Sequence, residues 1–317
     1  MSRETDSNLS ASMQPASAAA STRPERVVSR RRHPWRWVGA AVVLLFVAWL
    51  INTLATAPAL EWGVVWDYLF SSIVLVGVLH TLELTAITMV VGMALGTVVA
   101  LMRLSPNPVL TTVAYGYQWV FRGIPSLVQL FFWFNLASVI PRIHLHIGGL
   151  TFVDESTNQV MTTLVAATLG LGLNLAAYYS EVVRSGILSV DEGQSEAATA
   201  YGLSRMQMMR HIVLPQAMRV IIPPTGNELI GLLKWTSLAS VIAYSELLER
   251  VSSVYVRTYQ IIPMLIVASI WYLILVSILS VGQYFLERRF ARGAQRHQTQ
   301  PKALQLVARL FRKESPA

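Results

Sequence analysis

Between Val38 and Thr56 no side chain carries a charge, and apolar runs of similar length recur along the chain. A membrane-spanning helix needs about 20 largely apolar residues, because the hydrocarbon core is about 30 Å thick and each helical residue rises about 1.5 Å. Windows near Val38–Thr56, Leu84–Met102, Gly123–Ile140, Val160–Ser180 and Pro263–Leu286 satisfy that requirement. A sixth, near Val220–Tyr244, does so with Pro223, Pro224, Glu228 and Lys234 interrupting it. Glu61 and Asp67 break the apolar stretch Trp62–Gly77, which reads as an interfacial approach to the second span. Only 13% of the 317 residues are charged, against about 25% in soluble domains. The expected fold is therefore an all-α integral membrane protein with about six transmembrane helices.

The net charge of +8 does not point to nucleic acid, because the basic residues cluster in the tails and flank apolar segments. Both tails, Arg103 and the stretch with Arg184, Arg205, Arg210 and Arg219 fall on one side of the alternating spans. The Lys/Arg bias puts that side, and so both termini, in the cytoplasm. Residues 1–34 read as a disordered basic tail. In 290–317, Leu304, Val307, Leu310 and Phe311 share a helical face among basic residues. That tail reads either as an interfacial helix on membrane lipid or as a frayed solvated end. The first window reads as a retained anchor; a cleaved leader would leave the downstream orientation unchanged. With no cysteine, disulfides and thiolate metal sites are excluded. His144-x-His146 lacks the further ligands that a metal site needs.

The segment Ser189–Pro215 specifies two short cytoplasmic helices around a glycine. Ser189 and Glu192 have capping-box spacing, Gly202 suits a left-handed helix terminus, and Ser204 and Gln207 repeat the capping-box spacing. Pro215 is expected to prevent simple continuation of the second helix. An ordinary connection between spans is short; two capped helices and a turn are better explained as a docking surface.

Glu196-Ala197-Ala198, Gly202 and Ile212-Val213-Leu214-Pro215, in that order and spacing, resemble the EAA loop of permeases in binding-protein-dependent ABC importers. Phe121-Arg122-Gly123-Ile124-Pro125, Ala176-Ala177-Tyr178-Tyr179-Ser180-Glu181, Pro223-Pro224-Thr225-Gly226-Asn227-Glu228 and Lys234-Trp235-Thr236-Ser237-Leu238 narrow the resemblance to polar-amino-acid permeases. It covers 77–289, leaving 35–57 as an additional N-terminal span. Trp235 stands where that family often has Asp, and Thr199 where Arg is common.

The resemblance implies a subunit of the bacterial cytoplasmic membrane that forms its pathway with a second permease, a copy or a homologue. It also implies an external solute-binding protein and separate ATPase subunits that bind ATP and Mg. In that reading Glu196 makes polar contacts to the ATPase, Ala197 and Ala198 permit a close fit, Gly202 sets the turn, and Ile212, Leu214 and Pro215 complete the loop. The chain is not itself an ATPase: Gly226 and Gly231 have the glycine spacing of a phosphate-binding loop, but Leu232 follows where Lys is required. No cofactor is expected in this chain.

Polar groups inside apolar spans are costly and often line a pathway. Glu83, Gln129, Asn174, Asn227, Glu228 and Lys234 are such candidates, each open also to the reading of a helix–helix hydrogen bond. Arg122 reads as snorkelling to phosphate at the inner face, and Gly92 and Gly96 as a close-packing pair. A self-sufficient secondary transporter or channel is the rival function; a membrane enzyme lacks any supporting His-Glu-x-x-His or Gly-x-Ser-x-Gly motif.

Overall fold

The computed structural model describes residues 34–147 and 150–290. The two basic tails lie outside these residues. The chain divides into two units at Thr56. The first contains α1 (Pro34–Thr56), whose apolar window buries none of its residues.

The second unit is built on α3 (Ser72–Arg103) and α7 (Thr163–Leu188), which pack along much of their lengths. Glycines permit this approach. A Cβ on Gly92 would lie 2.6 Å from Leu175 Cδ2, and one on Gly96 would lie 2.8 Å from the Ala176 carbonyl oxygen. Around this pair lie α2 (Trp62–Leu69), α4 (Pro108–Gly123), α5 (Ser126–Phe134), α10 (Leu214–Trp235), α11 (Leu247–Thr258) and α12 (Ile261–Phe290). One apolar core joins Leu84, Leu130, Leu171, Leu175 and Leu232; a second joins Val74, Leu233, Leu247, Val251 and Met264.

Among the described residues, three helices are long and apolar enough to cross a membrane: Val38–Thr56, Ser72–Arg103 and Ile261–Phe290. The other expected windows are helical with shifted bounds. The Trp62–Gly77 approach divides at Phe70–Ser71, and its last residues belong to α3. The Gly123–Ile140 window begins where α4 ends. Pro125 holds Ile124 in an extended conformation, so the helix stops and α5 restarts it. The expected reading omitted α4, which begins at Asn107, whose side chain accepts from Val109 N at 2.9 Å, with Pro108 in the first turn. Pro223 and Pro224 do not interrupt α10.

Two further elements lie between the expected spans. Arg142–Ile147 (β1) and Leu150–Ser156 (β2) form an antiparallel hairpin in which His144 pairs with Asp154, their side chains 2.8 Å apart, and the one-turn helix α6 (Thr157–Val160) follows it. The segment after Tyr244 forms α11, with Leu247, Val251 and Val254 buried. α7 is followed by α8 (Glu192–Ala200) and α9 (Arg205–Met208).

Candidate functional site

The glycine-hinged segment has the architecture that its sequence specifies, with a different first cap. Ser189 ends α7, its hydroxyl donating to the Gly186 carbonyl oxygen at 2.7 Å. The cap of α8 is Asp191, whose carboxylate accepts from Gly193 N at 2.9 Å. Ser189 is therefore not the capping-box residue; α7 persists through Leu188 and leaves it no freedom to start a helix. At the other end of α8, Leu203 N donates to the Ala198 carbonyl oxygen at 3.1 Å and Gly202 N to that of Thr199 at 2.9 Å. Gly202 has φ +75°, so this is a Schellman closure that needs a residue without Cβ.

The second cap is the expected one: Ser204 N donates to Gln207 Oε1 at 2.9 Å and Gln207 N to Ser204 Oγ at 3.4 Å. Pro215 does not stop the helix it starts. A π-helical stretch, Met209–Val213, shifts the hydrogen-bond spacing, and Pro215 falls in the first turn of the new α-helical run, α10. The hinge is thereby continuous with a long helix of the bundle.

Glu196 and Ala197 are exposed, as are Leu214 and Pro215, whereas Ile212 is half-buried. Tyr201 and Met206 are 87% and 75% exposed on the same segment. Ala198 faces inward at 2% exposure, so its small side chain serves the fit of α8 to its own chain, not the outer face.

The six polar candidates are not brought together. Gln129 Nε2 donates to the carbonyl oxygens of Phe121 and Ile124 at 2.9 and 2.8 Å, and Asn174 Nδ2 donates to that of Phe121 at 2.7 Å. These two amides satisfy the carbonyls released where α4 breaks. Asn227 Oδ1 accepts from Gln283 on α12 at 3.0 Å. Glu228 is half-buried, while Glu83 and Lys234 are exposed on α3 and α10.

Two cavities adjoin the α4 break and share Arg122, Gly123 and Tyr178. The larger, about 770 Å³, is also lined by Arg103, Tyr115, Gln118, Trp119 and Glu181; the smaller, about 310 Å³, by Pro125, Ser126, Asn174 and Trp235. Arg122 stacks on Tyr178, its guanidinium carbon 4.9 Å from the ring centre. α4 carries Arg122 to its last turn, level with Asn174 near the middle of α7, and leaves it exposed.

Sequence reasoning missed two polar networks. In one, Glu181 pairs with Arg103 and, at 3.1 Å, with Arg184, while Arg103 also donates to Gln118 at 2.7 Å and Gln118 to Ser180 at 2.6 Å. In the other, fully buried Glu246 caps α11, accepting from Leu248 N at 2.9 Å, Glu249 N at 2.8 Å and the Tyr272 hydroxyl at 2.7 Å. Leu247, Val251 and Val254 at helical spacing were a legible signal for α11; no signal in the sequence pairs Arg103 with Glu181.

A bundle with long apolar helices and a glycine-hinged pair between α7 and α10 has the composition of an integral membrane protein. The family described as binding-protein-dependent transport system inner membrane component matches residues 92–292. The chain belongs to that family, within its amino-acid ABC transporter permeases. It is 44% identical to the arginine transport system permease protein ArgU of Corynebacterium glutamicum, over 92% of this chain and 90% of that protein. It is 35% identical to the L-cystine transport system permease protein TcyB of Bacillus subtilis, over 74% of this chain and 96% of that one. A crystal structure of an amino acid ABC transporter with histidines matches with a TM-score of 0.59 at 30% identity, over 68% of this chain and 94% of that one.

Proposed function

We propose that this chain forms the translocation pathway of an ATP-driven importer for a polar amino acid, with a second permease, a copy or a homologue. An external solute-binding protein supplies the substrate, and the 189–215 segment, on the cytoplasmic side with both termini, docks on a separate ATPase that binds ATP and Mg. Arginine is the first substrate to test, since ArgU is an arginine permease by name and similar over nearly its whole length.

The observation that carries this reading is the Gly202 hinge. A left-handed glycine, capped on both sides, holds two short helices whose outer residues include Glu196, Ala197, Tyr201 and Met206. Exposed Tyr and Met beside a carboxylate suit a protein groove better than water. The continuous run from Ser204 through the π turn into α10 gives a route by which a displacement at the hinge moves a bundle helix.

The test is reconstitution. Proteoliposomes holding the permease, its ATPase and its binding protein should take up L-arginine only with internal ATP. Uptake by the chain without an ATPase would establish the self-sufficient transporter instead.

A further inference from the structure

α10 is unbroken, yet three successive rungs of its hydrogen-bond ladder are weakened. Pro223 and Pro224 carry no N–H, so the carbonyls of Arg219 and Val220 lose the donors that stand four residues on. At the next rung the Thr225 hydroxyl donates to the Ile221 carbonyl oxygen at 2.7 Å, in competition with the backbone. Helices bend where their ladder is interrupted in this way. Pro223–Pro224 is therefore a joint inside a continuous helix.

The two sides of the joint are anchored differently. Before it, Ala217 and Ile221 are buried with Tyr179 and Val183 of α7, and a Cβ on Gly186 of α7 would lie 2.3 Å from Ile221 Cγ1. This side also runs back through the π turn to the Gly202 hinge. At the joint and just beyond it, the partner is α12. Half-buried Gln283 donates from Nε2 to the Pro223 carbonyl oxygen at 3.3 Å and to Oδ1 of exposed Asn227 at 3.0 Å. Gly226 lies between those acceptors. A Cβ there would fall 2.7 Å from Gln283 Cδ, so the bare backbone is what lets the amide lie against α10.

The same nitrogen donates to Glu287 Oε1, one turn along its own helix, at 2.7 Å. A primary amide has two hydrogens for these three acceptors. Gln283 thus divides its donors between α10 and α12, and its hold on α10 is releasable.

We propose that Gln283 is a positioning residue for transport. It ties α10 to α12 at the proline joint, so that a displacement arriving from the Gly202 hinge moves α12 instead of being absorbed as bending at Pro223–Pro224. The proposal rests on the importer reading above and adds to it the residue that carries the motion onward.

The test uses proteoliposomes holding the whole transporter, with L-arginine uptake and ATP hydrolysis measured together. Gln283→Met keeps the length of the side chain and its contact over Gly226 but removes both N–H donors. It should leave hydrolysis near the wild-type rate and lower uptake per ATP roughly fivefold or more, since two interhelical bonds weigh the tied state against the free one. Adding Pro223→Ala and Pro224→Ala restores two ladder donors and should recover most of that loss, a rescue that a merely structural role for Gln283 does not give. Asn227→Ala removes one acceptor at an exposed position and should show a smaller loss in the same direction; it decides if Gln283→Met does not assemble. An unchanged ratio, or a loss that the two alanines leave in place, overturns the proposal. Because the chain has no cysteine, spin labels on Val220→Cys and Ile278→Cys, both exposed, report the α10–α12 separation directly. Gln283→Met should widen that distance distribution, and an equally narrow one also overturns the proposal. Absence of ATP-driven uptake by the wild type removes the importer reading, and the spin-label distances then decide whether the joint is tied by Gln283.

Discussion

Asn174 on α7 donates to the backbone carbonyl oxygen of Phe121 on α4 at 2.7 Å, at the point where α4 gives way to Pro125 and α5. Gln129 closes the same break from the α5 side. Backbone groups freed where a helix breaks need partners, and here two side-chain amides supply them. Asn174→Leu should lower thermal stability of the purified permease by about 0.6 kcal/mol, the average for such bonds in membranes, and by no more than about 1.7 kcal/mol. Gln129→Leu, which removes two bonds, should cost more. Thermal unfolding in detergent measures both, and Gln129→Leu costing less than Asn174→Leu would refute the assignment.

Gly202 has φ +75° with nothing within 4 Å of a Cβ position, so substitution there is strained by backbone conformation and not by crowding. Gly202→Asp should leave membrane insertion intact, destabilise the hinge by about 1 kcal/mol, and abolish coupling between ATP hydrolysis and uptake. Normal ATP-driven uptake by this variant would remove the hinge from the mechanism.

The caps give a sharp contrast. Ser204→Ala removes one half of a capping box and should cost about 1 kcal/mol of local stability, and Asp191→Ala a similar amount. Glu192→Ala should be close to neutral, since Ser189 does not cap α8. Amide hydrogen exchange across 189–215 would read all three; faster exchange in Glu192→Ala alone would restore the Ser189 capping box.

The central helix pair discriminates between glycines. A Cβ on Gly96 would meet the Ala176 backbone carbonyl at 2.8 Å, whereas one on Gly172 meets Thr88 Cγ2 at an ordinary 3.6 Å. Gly96→Ala should therefore cost about 1–3 kcal/mol through overpacking, while Gly172→Ala should be neutral or stabilise by up to about 1 kcal/mol from helix propensity. Comparable melting temperatures for the two variants would contradict the packing described.

Glu246 is the buried start of α11, and Tyr272 on α12 donates to it at 2.7 Å. Tyr272→Phe should cost about 1.5–3 kcal/mol, as for a hydrogen bond to a charged group. Thermal unfolding in detergent checks this, and an unchanged midpoint would show that the two backbone donors already satisfy the carboxylate.

What the residues by themselves determined is local or periodic. Apolar runs specify helices, Ser204 and Gln207 specify a cap, Gly202 specifies a left-handed stop, and the order of these motifs marks the family. Each rule acts within a turn or two of helix, where neighbours in sequence are neighbours in space. Packing decided the rest. Whether Ser189 or Asp191 caps α8 depended on how far α7 persists; which way Ala198 faces depended on how α8 lies against the chain behind it. Arg122 was read at the edge of a span because α4 had not been recognised, and only the path of α4 beside α7 brings that guanidinium over Tyr178. Arg103 and Glu181, or Glu246 and Tyr272, meet across separate helices, and no local rule links residues that only the assembled bundle makes adjacent.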